Sequence, residues 1–194
     1  NKNLTVVFFS LCFIMNLSGQ QNRLENFSMR DGLPSLAIND ILQDEIGYLW
    51  LASNRGLVRF DGNEFKSFTT KNSATINTLF FKDNLLYIGS EKGLCVKRNN
   101  EITCFGNENI LKIVAIEDAI ILGTTQGIFE LREDYLAPLK INSSLDFSMI
   151  HDLIVVKESI YVASNKGLWK LNSLKKGSKH EKIMEGTITS LLAQ

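Results

Sequence analysis

A glycine-centred motif returns along this chain, and its spacing constrains the fold more than any other feature. The motif is a short apolar segment, a small residue, a hydroxyl residue, two variable residues, and a glycine followed by an aliphatic residue. It occurs as LWLASNRGL, LYIGSEKGL, IILGTTQGI and IYVASNKGL, with glycines at positions 56, 93, 127 and 167. Intervals of 37, 34 and 40 residues lie in the range of repeat architectures.

A second apolar segment precedes each motif at a near-constant interval. These segments are INDIL, INTLF, ILKIV and IHDLI, and a fifth, ITSLL, begins at Ile188. With the strands on either side of the glycine and one more after a further turn, each unit contains four short antiparallel strands. Such a unit is a β-propeller blade, because a helical repeat of this length would show a periodicity of about 3.6 residues.

The sequence therefore predicts an all-β fold, a β-propeller fragment of about four four-stranded blades. The blades are expected at residues 36–70, 74–106, 109–141 and 149–186, and the first strand of a fifth at 187–194. A shift of one repeat places Phe27 on Phe65, so the mature chain is expected to begin with a ring-closing strand that completes the last blade. Residues 21–194 then form an incomplete propeller with an exposed apolar face.

The first twenty residues differ from the rest. An uncharged apolar run of 14 residues, Leu4 to Leu17, follows Lys2 and is itself followed by small and polar residues. This layout predicts a signal peptide over residues 1–20, and the run is short for a membrane anchor, which needs about 20 apolar residues. The basic and acidic side chains, 21 of each, balance to zero net charge, which gives no indication of nucleic-acid binding.

Most of the repeated motif has a structural explanation. The hydroxyl residue and the glycine occupy the ends of a four-residue turn, where the hydroxyl can bond to backbone N–H groups. The second variable position is different, because it holds Arg55, Lys92 and Lys166 in three of the four units. These cations are expected on one face of the propeller, where they either attract an anionic ligand or remain solvated surface residues.

A second polar series begins the first strand of three units. Asn39, Asn77 and His151 are expected near the channel mouth on the same face as the cations. They are candidate ligand-binding residues, and the alternative is hydrogen bonding to the loops between blades.

Two cysteines are candidates for a disulfide. If Asn99 and Asn100 form a two-residue hairpin turn, Cys95 and Cys104 face each other as a non-hydrogen-bonded pair with Cα atoms about 4.5 Å apart. Export permits oxidation, whereas a change of one residue in the turn would break the register and leave two free thiols.

The sequence contains no catalytic constellation, so this segment is not expected to be an enzyme. Its two histidines, His151 and His180, have no cysteine or carboxylate at metal-ligand spacing, which excludes an evident zinc site. Phosphate-binding glycine loops and serine-nucleophile motifs are absent, and we expect no metal or cofactor.

The stretch from Asp31 to Phe68 resembles the repeat of the two-component regulator propeller family. It has the DGLP opening, a strand ending in QD, the GYLW strand, the small residue with SNRGL, and the FDGNEF hairpin. Later units keep the strand and glycine core but lose the QD turn. Leu36 departs from the family, which commonly has Asn at that place.

The resemblance implies the periplasmic sensor part of a Gram-negative receptor. Such propellers precede a triple-tyrosine β-domain, a membrane span that anchors the protein in the inner membrane, and often a histidine kinase. The implied ligand is a small molecule or oligosaccharide such as a glycan breakdown product. The implied partners are the remaining blades, the downstream β-domain and a second copy of the receptor. An envelope protein-binding platform and a secreted propeller enzyme remain alternatives.

Overall fold

The computed structural model of the chain describes residues 25–70, 74–139, 149–172, 174 and 180–192. The predicted signal peptide, residues 1–20, lies outside the described residues. Within these ranges, no helix is both long enough and apolar enough to cross a membrane.

The described ranges form four antiparallel sheets of four strands each. Blade 1 contains β1 (Ile38–Gln43), β2 (Leu49–Ser53), β3 (Gly56–Phe60) and β4 (Phe65–Phe68). Blade 2 contains β5 (Ile76–Lys82), β6 (Leu85–Ser90), β7 (Gly93–Arg98) and β8 (Glu101–Phe105). Blade 3 contains β9 (Ile110–Ile116), β10 (Ala119–Thr124), β11 (Gly127–Arg132) and β12 (Tyr135–Pro138). Blade 4 contains β13 (Ile150–Val156), β14 (Ser159–Ser164), β15 (Gly167–Leu171) and β16 (His180–Met184).

Each sheet pairs its strands in chain order, and the first strands of successive blades contact one another. The prediction of four four-stranded propeller blades is confirmed. The glycine of every motif begins the third strand, as the repeat indicates. Gly93 shows why a glycine is needed there, because its φ is +107° and an added Cβ would lie 2.4 Å from the carbonyl oxygen of Phe105.

The up-and-down order of the strands gives the propeller two faces. We call the motif face the one that carries the turns at residues 54–55, 91–92, 125–126 and 165–166 and the connections between blades. The opposite face carries the turns at residues 44–48, 83–84, 117–118 and 157–158 and the outer turns such as 61–64 and 99–100.

Three apolar clusters lie between neighbouring blades. Leu57, Ile76 and Ile88 are fully buried between blades 1 and 2, and Leu94 and Ile110 are fully buried between blades 2 and 3. The third cluster joins blades 3 and 4 through Ile121, Ile150 and Leu153. A blade thus buries its apolar faces against its neighbours, as in other stacked repeats.

Small residues allow this close stacking. A Cβ added at Gly89 would lie 2.8 Å from Cγ2 of Ile110, and one added at Gly123 would lie 2.7 Å from Cγ2 of Ile150. Real side chains do not approach so closely, so the second strands of blades 2 and 3 need glycine where they meet the next blade. Ala52 and Ala163 occupy the same place in blades 1 and 4.

The beginning of the described chain pairs as a strand with none of the four described blades. Residues 25–28 are not a strand, and Ser28 caps a short 3₁₀ turn over Met29–Asp31. Phe27 packs edge-on against Phe60 and Phe65 of blade 1, with ring centroids 5.0 and 5.3 Å apart. The blade that residue 27 is expected to complete is not among the four described blades, each of which has its own fourth strand, so ring closure stays a prediction.

The segment after blade 4 lies where the first strand of a fifth blade would lie. Residues 187–192 have no strand partner among the described residues. The backbone nitrogen of Leu191 nevertheless donates to Oδ2 of Asp152 at 2.9 Å, as the nitrogen of Leu79 donates to Oδ2 of Asp40 at 2.8 Å. Leu191 therefore contacts blade 4 in the way that blade 2 contacts blade 1.

Candidate functional site

The repeated turn on the motif face is held together by its own hydroxyl group. The hydroxyl of Ser53 donates to the carbonyl oxygen of Gly56 at 2.8 Å and accepts from the backbone nitrogen of Arg55 at 3.2 Å. The same pair of bonds forms at Ser90, Thr124 and Ser164, which are all buried. The hydroxyl and the glycine are therefore structural, as the sequence predicts.

The turns place the predicted cations at equivalent positions on the motif face. Arg55, Lys92 and Lys166 are exposed in blades 1, 2 and 4, and Gln126 takes their place in blade 3. In blades 2 to 4 the turn is fixed against the connection between blades, since the backbone nitrogens of Glu91, Thr125 and Asn165 donate to the carbonyl oxygens of Thr75, Asn109 and Met149. A ligand-binding role for these cations stays a prediction.

Asn39 and Asn77 each occupy a β-bulge. The pairing of the first two strands skips residue 39 in blade 1 and residue 77 in blade 2. The amide of Asn39 donates to the carbonyl oxygen of Ile76 at 2.8 Å, and the amide of Asn77 donates to that of Ile110 at 2.8 Å. A bulge re-aims a side chain, and here it directs both amides to the next blade. The hydrogen bonds described for the two amides join neighbouring blades. A ligand-binding role for Asn39 and Asn77 stays a prediction.

His151 occupies the bulge of blade 4, and Leu111 occupies that of blade 3. Nε2 of His151 is buried and has no hydrogen-bond partner within the described part of the chain. The sequence thus places Asn39, Asn77 and His151 correctly at the motif-face end of the first strands. The bulges themselves were not visible in the sequence pattern.

Two carboxylates next to these bulges were not identified from the sequence. Asp40 accepts from Thr78 as well as from Leu79, so one side chain connects two blades. Asp152 forms a salt bridge with Lys112 of blade 3 at 3.3 Å and accepts from Leu191. The first strand of each blade has a polar residue at its third position, although the rest of the strand is mostly apolar. This pattern is the sequence feature that indicates both carboxylates.

Cys95 and Cys104 form a disulfide across β7 and β8. They are opposite each other in the ladder, Arg98 pairs with Glu101, and residues 99–100 form the turn, which is the predicted register. The Cα atoms lie 4.0 Å apart. In the ranges described, no group of three or more histidine, cysteine or carboxylate side chains is arranged to hold a metal ion.

A family model and a histidine kinase each match part of this chain. Residues 32–55 match the family model described as two component regulator propeller. A 64-residue stretch is 39% identical to histidine kinase P4 of Formosa agariphila and covers 32% of this chain and 5% of that protein.

Solved structures share the fold. The extracellular domain of BT4673 from B. thetaiotaomicron, described as a hybrid two component system, is 25% identical with a TM-score of 0.64, over 78% of this chain and 22% of that one. The corresponding domain of BT3049 is 19% identical with a TM-score of 0.66, over 86% of this chain and 24% of that one. The chain thus spans less than a quarter of each solved domain and a small part of the kinase.

The matched residues include the DGLP opening's glycine, the QD turn and the first glycine motif up to Arg55, whereas the FDGNEF hairpin lies outside the match. Residues 32–55 therefore resemble the two component regulator propeller repeat, and the four blades together share the fold of hybrid two component system extracellular domains.

Proposed function

We propose that this chain is part of a periplasmic, ligand-sensing propeller in a two-component receptor. The match of residues 32–55 to the two component regulator propeller carries the proposal. Similarity to extracellular domains of hybrid two component systems and to a histidine kinase supports it. The segment itself acts as a binding module, and catalysis belongs to a histidine kinase elsewhere in the full-length protein.

The proposed location is the periplasm. A leader over residues 1–20 would export the chain, and a disulfide between Cys95 and Cys104 is compatible with an oxidising compartment. The receptor would be anchored in the inner membrane by a span outside this chain. Its partners would be further blades and a downstream β-domain of the same protein, and a second copy of the receptor.

The proposed ligand is a small molecule or oligosaccharide released by glycan breakdown. On the motif face, Arg55, Lys92 and Lys166 would contact it, because their exposed charges stand at equivalent places in three blades. Asn39 and Asn77 would act by positioning, since their amides hold the neighbouring blade. His151 would stand at the equivalent place in the first strand of blade 4, with Nε2 of its ring buried.

Thermal-shift screening of the complete exported region against oligosaccharides tests the function. A ligand that binds only the folded state raises Tm, by an amount that grows with its concentration over Kd. Failure of every oligosaccharide to raise Tm would contradict glycan sensing. The envelope-platform alternative would then predict protein capture without a sugar response.

Alanine at Arg55, Lys92 and Lys166 together tests the motif face. We expect the triple variant to lose most of the ligand-induced shift. Arg132→Ala and Lys157→Ala are the controls, because they remove cations from turns and strand ends of the opposite face. If the ligand raises the Tm of the triple variant as much as that of wild type, the motif face is not the ligand-binding face.

A further inference from the structure

A cleft of about 670 Å³ opens between blades 1 and 2 on the opposite face. Its walls come from the turn at residues 44–48, from the outer ends of β3 and β7, and from the turns at residues 83–84 and 99–100. This volume is within the range of pockets that hold small organic ligands. None of the residues proposed for the motif face lines it.

Two cations, Arg59 and Lys97, line this cleft. The guanidinium of Arg59, on β3, lies 4.1 Å from the ring centroid of Tyr48, and its Nε is buried without a hydrogen-bond partner among the described residues. The ammonium of Lys97, on β7, lies 5.5 Å from the ring of Trp50 and donates to the carbonyl oxygen of Asn99. The two side chains supply the cationic donors of the cleft.

Two carboxylates, Asp44 and Glu45, also line the cleft. Oδ1 of Asp44 accepts from the backbone nitrogens of Ile46, Gly47 and Tyr48, and Oδ2 accepts from Nε1 of Trp50 at 2.8 Å. Both carboxylate oxygens of Asp44 thus accept hydrogen bonds that hold the turn and the Trp50 ring. No carboxylate in the described ranges forms a salt bridge with Arg59 or Lys97.

The repeat shows that cations are not needed at this place for packing. Arg59 is the fourth residue of β3, and Lys97 is the fifth residue of β7. The equivalent pair between blades 2 and 3 is Val96 and Leu131, and both pack against the apolar cluster there. Blade 1 also has a five-residue turn where the other blades have two residues. The cleft therefore arises where the first two blades depart from the common pattern.

Burial lowers the pKa of the Lys97 ammonium below its usual value, and the positive charges of Arg59 and Lys66 lower it further. The repulsion of Lys97 by Arg59 and Lys66 destabilises the empty cleft, and no carboxylate of the described ranges lies within salt-bridge distance of Lys97. An anion placed between them would relieve this repulsion.

We propose that the cleft between blades 1 and 2 binds the carboxylate or sulfate group of a sugar-sized ligand through Arg59 and Lys97. The amides of Asn84, Asn99 and Asn100 line the same cleft and offer donors and acceptors for hydroxyl groups. An arginine guanidinium matches the geometry of either anion. The sugar part of this assignment rests on the proposed function, whereas the anion part rests on the cleft.

Thermal shift and calorimetry on the complete exported region test this assignment. The probes are glucuronate and galacturonate, a glucose sulfate, neutral glucose and galactose, and inorganic sulfate. We expect the acidic sugars to raise Tm and the neutral sugars to do so far less. If inorganic sulfate binds as tightly as the sugar sulfate, the proposal that the ligand is sugar-sized is overturned.

Arg59→Met and Lys97→Met should each weaken acidic-sugar binding by at least about tenfold, the loss expected for one charge-assisted interaction. Lys97→Met should not lower the basal Tm, since it removes a repelled charge, which separates lost binding from lost folding. Lys170→Met is the matched control, because Lys170 is the fourth residue of β15 and lies 5.9 Å from the ring of Tyr161 outside the cleft.

Failure of this inference and failure of the proposed function give different results. If acidic sugars bind wild type and the Arg59 and Lys97 variants equally, the assignment of the cleft as the anion site is overturned. The proposal of sugar sensing is then left intact. Binding of neutral sugars alone would do the same. If no sugar of either class binds, both the cleft assignment and the proposed glycan sensing are overturned.

Discussion

The carboxylate of Asp40 accepts a hydrogen bond from the backbone nitrogen of Leu79 at 2.8 Å, so a side chain of blade 1 satisfies the main chain of blade 2. The nitrogen belongs to the first strand of blade 2, close to its bulge. An unpaired backbone N–H at such a site costs free energy comparable to a lost hydrogen bond. Asp40 therefore contributes to stacking of the blades, in addition to the apolar contacts between them.

Replacing Asp40 by alanine should lower the free energy of unfolding of the complete exported region by about 1–3 kcal/mol, because it leaves a buried N–H without an acceptor. Asp40→Asn should lose less, since one side-chain oxygen remains. Urea denaturation measures both, and Asp118→Ala, on an exposed turn, is the control. Equal stability of the Asp40→Ala variant and wild type would contradict the role.

The blades could be predicted from the sequence because the repeat encodes them locally. Each hydroxyl and glycine specify a turn through contacts within four residues, so Ser53 and Gly56 are interpretable without any knowledge of the rest of the chain. The register of the Cys95–Cys104 hairpin followed from a single two-residue turn. Local chemistry of this kind is visible in a sequence.

Contacts between blades were harder to predict. The direction of the Asn39 amide depends on a bulge, and the acceptor of that amide lies 37 residues away at Ile76. The cleft at Arg59 and Lys97 requires the relative placement of two blades and of an enlarged turn. Neither cation belongs to the repeated motif, so the equivalent positions of the motif give no indication of either. Comparison of every strand position across the blades would have shown that these cations stand where Val96 and Leu131 stand in the next pair.

Loss of the disulfide should destabilise the second blade. Replacing both Cys95 and Cys104 by alanine is expected to lower the free energy of unfolding by about 2–3 kcal/mol, the chain-entropy estimate for closing a loop of this length. Mass spectrometry with and without reductant checks the bond itself. Alkylation of both thiols without reductant would contradict it, and denaturation of the reduced wild type should reproduce the loss of stability in the double variant.

The turn of blade 4 offers a stabilising substitution. Lys157 has a φ of +57°, in the left-handed region where asparagine is far more common than lysine. Blade 2 has Asp83 and Asn84 in the corresponding turn, both with positive φ. Lys157→Asn should raise the free energy of unfolding by roughly 0.5–1 kcal/mol. Glu158→Asn, at the next position of the same turn but without positive φ, should change little, and a comparable gain there would indicate that the backbone conformation is not the cause.

The pKa of Lys97 should respond to its neighbours in a defined direction. Burial is the main cause of its lowered pKa, and Arg59 on β3 and Lys66 on β4 add to it. Arg59→Met should therefore raise the pKa of Lys97 toward its usual value without restoring it, because burial remains. NMR titration of the lysine side-chain nitrogen measures this, and Lys170→Met should leave the value unchanged. An unaltered or lower pKa in Arg59→Met would contradict the electrostatic coupling across the cleft.

The same shift sets the sign of a stability change with pH. A lowered pKa means that folded protein binds fewer protons at Lys97 than unfolded protein, so the unfolding free energy rises as pH increases from the folded pKa to the unfolded one. Below the folded pKa, Lys97 is protonated in both states and its unfavourable burial is fully present. Lys97→Met should accordingly raise Tm at pH 7 and flatten the alkaline part of the stability profile, which pH-dependent thermal melts would show. A bound acidic sugar should raise the pKa of Lys97 in wild type, since the negative charge of the sugar favours the protonated ammonium. The NMR titration with ligand and the thermal melts therefore both report on the charge of Lys97.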